Sequence, residues 1–191
     1  MLSCCEVILQ CGSFFYCNLR ICDVRLILGG VQMSKSIDDI VNDTLRNDAQ
    51  KNAIDFIAYL RGDEGFSFSK DDNDDGRWWI NYRDIFVCEI QIETSGDAHE
   101  KWDVWFYGDC IGRHDSPVDD TIKEIAWANM TLCRNCGADC ATGKHKTVFG
   151  KEFNNVCQST MAFPNPKTDM LGCMKKIINV MKNDIKNNRY M

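Results

Sequence analysis

From Ser36 onward the chain moves between two hydrophobic rhythms. Ile37, Ile40, Val41 and Leu45 recur at helical spacing behind Ser36, a favourable N-cap. A second segment, Asp48 to Arg61, places Ala53, Ile54, Ile57 and Leu60 on one face, and Gly62 stands where a C′ glycine ends a helix. The period then drops to two. Trp78, Ile80 and Tyr82 alternate with Trp79, Asn81 and Arg83. After an Arg83-Asp84 turn, Phe86, Cys88, Ile90 and Ile92 alternate with Val87, Glu89, Gln91 and Glu93. After a Gly96-Asp97 turn, Trp102, Val104 and Phe106 alternate with Asp103, Trp105 and Tyr107. This pattern predicts an antiparallel β-meander with one buried face. The other face carries Trp79, Trp105 and Tyr107 with Asn81, Arg83 and Asp103 as polar company, too aromatic for a merely solvated surface. Either the helices cover it as a second core layer, or it lines a pocket.

The helical rhythm returns after Ser116-Pro117. Asp119 and Asp120 suit the first turn of a helix dipole, and Ile122, Ile125, Ala126 and Met130 supply its apolar face. A short apolar run, Thr147 to Phe153, follows. The last helix is expected from Thr168, as N-cap, towards Asn188, with Leu171, Met174, Ile178, Met181 and Ile185 on one side and Lys175, Lys176, Lys182 and Lys186 on the other. The fold class read from these rhythms is α+β, a β-meander with flanking helices.

Between the last two helices stands Cys133-Arg134-Asn135-Cys136-Gly137-Ala138-Asp139-Cys140, with Cys157 further on. The spacing suits a closed, tetrahedral four-thiolate zinc site on Cys133, Cys136, Cys140 and Cys157, structural in character because no coordination position stays open. An iron–sulfur cluster also takes four thiolates, a C-x-x-C pair suits redox chemistry, and unrelated buried thiols need no ion. His145 is an alternative fourth ligand. With zinc, the tail is a stapled segment ending in an amphipathic helix. The expected organisation is then residues 1–32 as a leader, 33–131 as the α+β body, and 132–191 as the Cys-rich tail packed on it.

The leader is set apart by composition. It holds Cys4, Cys5, Cys11, Cys17 and Cys22 with few charges, and its first charge is Glu6, whereas a signal peptide wants a basic start. Gly29-Gly30-Val31 can be encoded by a ribosome-binding-like sequence just upstream of Met33, so a start at Met33 is expected, the other possibility being a genuine N-terminal strand or hairpin. No apolar run approaches the roughly 20 residues of a membrane helix. The 12 cysteines are unevenly spread and their tightest group has metal spacing, which points to a reducing, cytoplasmic setting rather than a disulfide scaffold.

Charge is divided along the chain. Residues 141–191 carry nine Lys or Arg against Glu152, Asp169 and Asp184, a balance of +6, so the total of −6 leaves −12 for residues 1–140. Nucleic-acid binding wants a basic face, and only the tail offers one; the competing explanation is complementarity between tail and body.

Other motifs fall away on inspection. Asp71, Asn73, Asp75 and Gly76 open like a calcium loop, but Tyr82 occupies the position that needs a bidentate Glu, and an Asp-Gly turn accounts for the same residues. Gly137 to Lys144 has the wrong spacing for a phosphate loop, and His145 stands where it needs Ser or Thr. Cys110 beside His114 permits a thiol nucleophile, without any sign that the two are oriented together.

The run C-x2-C-G-x2-C, then Thr147-Val148-Phe149-Gly150-Lys151-Glu152-Phe153, Asn155-Val156-Cys157 and Phe163-Pro164-Asn165-Pro166, resembles the tail of a group of uncharacterised small bacterial proteins. The likeness reaches Trp127-Ala128-Asn129 and implies no activity. The expected function is that of a non-catalytic binding or sensor domain that takes a small ligand or protein partner, the ligand at Trp79, Arg83, Trp105 and Tyr107. The alternatives are a thiol redox enzyme or sensor using Cys133 and Cys136, and nucleic-acid contact through the basic tail.

Overall fold

A computed structural model describes residues 35–94, 101–108, 110–112, 118–134 and 142–189. The leader expected at 1–32 lies outside them, as do the Gly96-Asp97 turn and His114. The chain is α+β. Its elements are α1 (Ile37–Thr44), α2 (Asn47–Arg61), β1 (Phe66–Lys70), β2 (Arg77–Tyr82), β3 (Ile85–Ile92), β4 (Trp102–Tyr107), β5 (Cys110–Ile111), α3 (Asp120–Ala128), β6 (Met130–Leu132), β7 (Lys144–Val148), β8 (Lys151–Pro164) and α4 (Thr168–Lys186).

Side-chain caps account for two of the four described helix starts. The Ser36 hydroxyl accepts a hydrogen bond from Asp39 N while Asp39 accepts one from Ser36 N, a capping box that starts α1. Asp119 caps α3 by accepting from Ile122 N at 3.0 Å. Two expectations are corrected. Gly62 closes α2 in the right-handed region (φ −65°), so no left-handed cap is made there. Thr168 is the first helical residue of α4 rather than its cap, and its hydroxyl donates to Asn52 Oδ1 on α2 instead.

Among the described residues, eight strands form one sheet in the order β1-β2-β3-β4-β8-β7-β5, with β6 also paired to β8. Val156 pairs with both Leu132 and Lys144, so β6 and β7 lie on opposite edges of β8. The expected apolar run at 147–153 is in fact a hairpin, turning at Phe149 and Gly150 with φ of 47° and 78°. The meander therefore continues into the tail through β8, which is hydrogen-bonded to β4.

The four described helices join one face of the sheet. Ile37 and Val41 of α1, Phe56 and Leu60 of α2, Ala126 of α3, and Met174, Ile178 and Met181 of α4 share a core with Trp78, Ile80, Ile90, Val104, Phe106 and Phe163. Burying this apolar area is the dominant favourable contribution to folding. Two of the tail's lysines turn back on the body, Lys175 to Asp55 at 2.7 Å and Lys182 to Asp63 at 2.6 Å, as expected of internal complementarity. No helix among the described residues is long and apolar enough to cross a membrane.

A bulge between β2 and β3 sets what the opposite face presents. Ile80 pairs with Cys88 and Asn81 with Phe86, leaving Val87 as the extra residue. Val87 and Cys88 are both buried in the core, and Phe86 is released to the other side. The simple alternation placed Phe86 with Cys88 and Val87 with Glu89; the bulge reverses both assignments.

Candidate functional site

The face away from the helices is built on one straight row. Trp79 pairs with Glu89, and Glu89 with Trp105, so two indoles flank a carboxylate across β2, β3 and β4; Ser69 on β1 and Ala162 on β8 extend the row. Trp79, Trp105 and Tyr107 are half-buried and stand outside the core shared with the helices. The released Phe86 ties them together, its ring 5.3 Å from Trp79 and 4.7 Å from Tyr107. Both pairs meet edge-on or tilted, the geometry that ring quadrupoles favour.

Glu89 is the electrostatic centre, only 5% exposed. Arg77 Nε lies 3.0 Å from Glu89 Oε1, an ion pair whose N–H is not aligned for a hydrogen bond. Tyr107 donates its hydroxyl to Glu89 Oε2 at 3.1 Å. Burial pushes the Glu89 carboxyl above the ordinary glutamate value, and Tyr107 and Arg77 pull the other way. The Tyr107 hydroxyl is itself pushed far up, first by burial and then by the Glu89 charge. Arg77 is shared further, with Asp71 at 3.9 Å and Asp74 at 4.0 Å, while its guanidinium lies 5.9 Å from the centre of the Trp79 ring. Asp103 faces the same side, accepts from Asn165 N at 3.3 Å, and is raised by burial.

Arg83 does not join this group. It sits in the two-residue turn between β2 and β3 with φ of 50°, and its guanidinium lies over Tyr82, a core residue. The residues that the alternation missed are Arg77, Phe86 and Glu89. Glu89 was visible as an outward position between two outward tryptophans, but only strand register shows that it sits between them. The loop from Asp71 to Gly76 is held by its own side chains, with Asp71 accepting from Asn73 N and Asp74 from Gly76 N. Gly76 is required there, because a Cβ would overlap the Ile92 carbonyl oxygen.

Of the four expected thiol ligands, Cys133 and Cys157 are described, whereas Cys136 and Cys140 lie outside the described residues. Cys133 N donates to Asn155 O at 2.7 Å, and Asn155 Nδ2 returns a bond to Cys133 O at 3.0 Å. Gly143 is so close that a Cβ on it would overlap both Cys133 and Asn155. The chain on either side of residues 135–141 therefore meets beside Asn155, two residues before Cys157. Among the described residues no group of three or more Cys, His, Asp or Glu could hold a metal. His145 lies 3.6 Å from Glu152. Cys88 and Cys173 are buried in the core, and burial pushes the Cys173 thiol up to about 12, which makes a poor nucleophile.

No protein-family model, curated protein or solved structure matches the chain.

Proposed function

We propose that the chain is a non-catalytic binding module that receives a small ligand on the open face of its sheet. The carrying observation is the Trp79–Glu89–Trp105 row on the face opposite the described helices, with Glu89 held from both sides by Arg77 and Tyr107. Binding sites combine aromatic surface with a few oriented polar groups, and this row supplies both. Glu89 is occupied on both oxygens, which favours a positioning role over general acid–base chemistry. The test is acrylamide quenching of the tryptophans in the wild-type chain, Trp79→Phe and Trp105→Phe. Quenching that drops in both variants supports an accessible face. Quenching unchanged by both substitutions removes the proposal.

The tail supports a second component, a structural zinc held by Cys133, Cys136, Cys140 and Cys157 in a reducing cytosol. Cys136 is three residues from Cys133, and Cys140 three from Gly143, a reach of at most about 11 Å each. Both anchor points meet at Asn155, on the same strand, β8, that carries Cys157. Four thiolates would supply a closed structural site and no open position for catalysis. Purified protein is expected to hold one zinc per chain, lost to a similar degree in each of the four Cys→Ser variants, since ligation and local folding are coupled. Full zinc retention in Cys157→Ser with loss in His145→Ala would replace the ligand set. A brown chromophore or a reversible Cys133–Cys136 disulfide would replace zinc altogether.

A further inference from the structure

Resting on the reading of the open face as a ligand site, we infer that its ligand is a neutral, polyhydroxylated molecule of at least two linked rings, an oligosaccharide segment lying across β2, β3 and β4. The first argument is spacing. Trp79 and Trp105 share one register two strands apart, which is about 9.5 Å. One small ring cannot cover both indoles, and two linked rings can.

The second argument is chemistry around the indoles. Ser69 is in register with Trp79, and Gln91 lies between Arg77 and Asp103 in the next row on the same face. Pyranose rings present C–H groups on their flat sides and hydroxyls at their rims, so they match indoles interleaved with serine, amide and carboxylate groups. A purely apolar ligand would desolvate those polar groups without replacing their hydrogen bonds.

The third argument is charge. A cation would seek the space between the Trp79 ring and Glu89, where Arg77 already sits. A phosphate-bearing ligand would meet Asp71, Asp74 and Glu89 gathered about Arg77, with Asp103 beyond Gln91 in the same row, an arrangement opposite to what phosphate recognition requires. A neutral ligand with hydroxyl groups is what remains compatible with the face.

The full chain is titrated with cellobiose, maltose and chitobiose, and with spermidine and oligo-dT as charged controls, following tryptophan fluorescence and calorimetry. At least one disaccharide is expected to bind, with Trp79→Ala and Trp105→Ala each weakening it about tenfold, the scale of one lost aromatic contact. Asp103→Asn, which keeps the side-chain shape, tests the rim separately from folding and is expected to weaken the same disaccharide. Failure of all three disaccharides overturns the inference. Binding of spermidine or oligo-dT alone, lost in the tryptophan variants, overturns the sugar class and leaves the ligand face standing. Disaccharide binding unaffected by either tryptophan substitution places the site elsewhere and overturns both, as does failure of every probe with tryptophans that acrylamide cannot reach.

Discussion

The two faces of β2, β3 and β4 are made from alternate residues of the same strands, yet they differ in kind. Trp102, Val104 and Phe106 bury their side chains against helices, in rows with Ile92, Ile90 and Cys88. One position along, Asp103, Trp105 and Tyr107 remain half-buried in rows with Gln91 and Glu89. The covered face is stabilised by apolar area, which is insensitive to detail as long as volume is kept. The open face is organised by directional contacts, an ion pair, a hydroxyl donor and tilted rings, which fix side-chain positions where no described helix covers them. A strand can thus divide stability and recognition between its odd and even positions.

The sharpest break of that comparison is to truncate matching aromatics on the two sides. Phe106→Ala and Trp102→Ala, both at full burial, are expected to cost about 3–5 kcal/mol. Trp105→Ala, between them in sequence, should cost clearly less than that, because its side chain is only half-buried and stands outside the core shared with the helices. Urea midpoints with unchanged slope give the values. Equal losses on the two sides would show the open face to be a second core.

Lys146 is a charged exception on the covered side, 2% exposed, and it sharpens the comparison from within. Its ammonium donates to Thr160 Oγ1 at 2.9 Å, Gln158 O at 3.0 Å and Gly108 O at 3.3 Å. These acceptors sit where β8 bulges opposite β4. Lys146→Met keeps most of the volume but strands the carbonyls, with an expected cost of about 2–3 kcal/mol by the same denaturation measurement. A neutral outcome would mean that the bulge satisfies its own backbone.

How far the sequence discloses this division depends on the range of the interaction. The four helices and the three central strands were legible because their apolar periods are local, and so was the Trp79, Trp105, Tyr107 face. Phe86 was misplaced because a bulge shifts phase, and only the partner strand reveals an extra residue. The 14-residue β8 was missed because burial reverses irregularly along it, after Asn155 at φ 57° and again near Thr160. Glu89 and Lys146 acquire their roles from partners 12 or more residues away, Arg77 and Tyr107 in one case and Gly108, Gln158 and Thr160 in the other. Cys133 and Cys157 were paired from spacing alone, and the register adds that Cys133 meets Asn155, two residues from Cys157.

Acidity offers a gentler probe of the open face. Burial raises Glu89 above 4.5 and Asp103 above 3.8, their ordinary values, so the native state holds protons that the unfolded state has released. Their contribution to stability is fully present below those values and is lost as pH rises through the raised ones. Asp39, Asp63 and Asp75 are lowered by hydrogen bonds from Ser36, Lys182 and Lys70, so they act with the opposite sign at lower pH. The difference between wild type and Glu89→Gln cancels their effect. That difference is expected to move in favour of Glu89→Gln as pH rises from about 4.5 towards neutrality. A difference that stays flat would mean that the Arg77 and Tyr107 contacts fully offset burial.

The smallest expected effect decides whether Arg83 belongs to either face. Arg83 and Asp84 form the whole loop between Tyr82 and Ile85, with φ of 50° and 65°. A two-residue hairpin loop with both φ positive is the type I′ arrangement, for which Asn-Gly is the preferred pair. Neither arginine nor aspartate is the best occupant, and a guanidinium over the Tyr82 ring, 5.7 Å from its centre, offsets part of that strain. Replacing the pair by Asn-Gly relieves the backbone and gives up this contact, so a net gain of about 0.5 kcal/mol is expected. The tryptophan quenching and any ligand affinity of the open face should not change, because the turn keeps the register that releases Phe86. If Arg83→Asn alone altered quenching at Trp79, the arginine would have to be counted with the open face after all, and the division between the two sides of the sheet would not end at the turn.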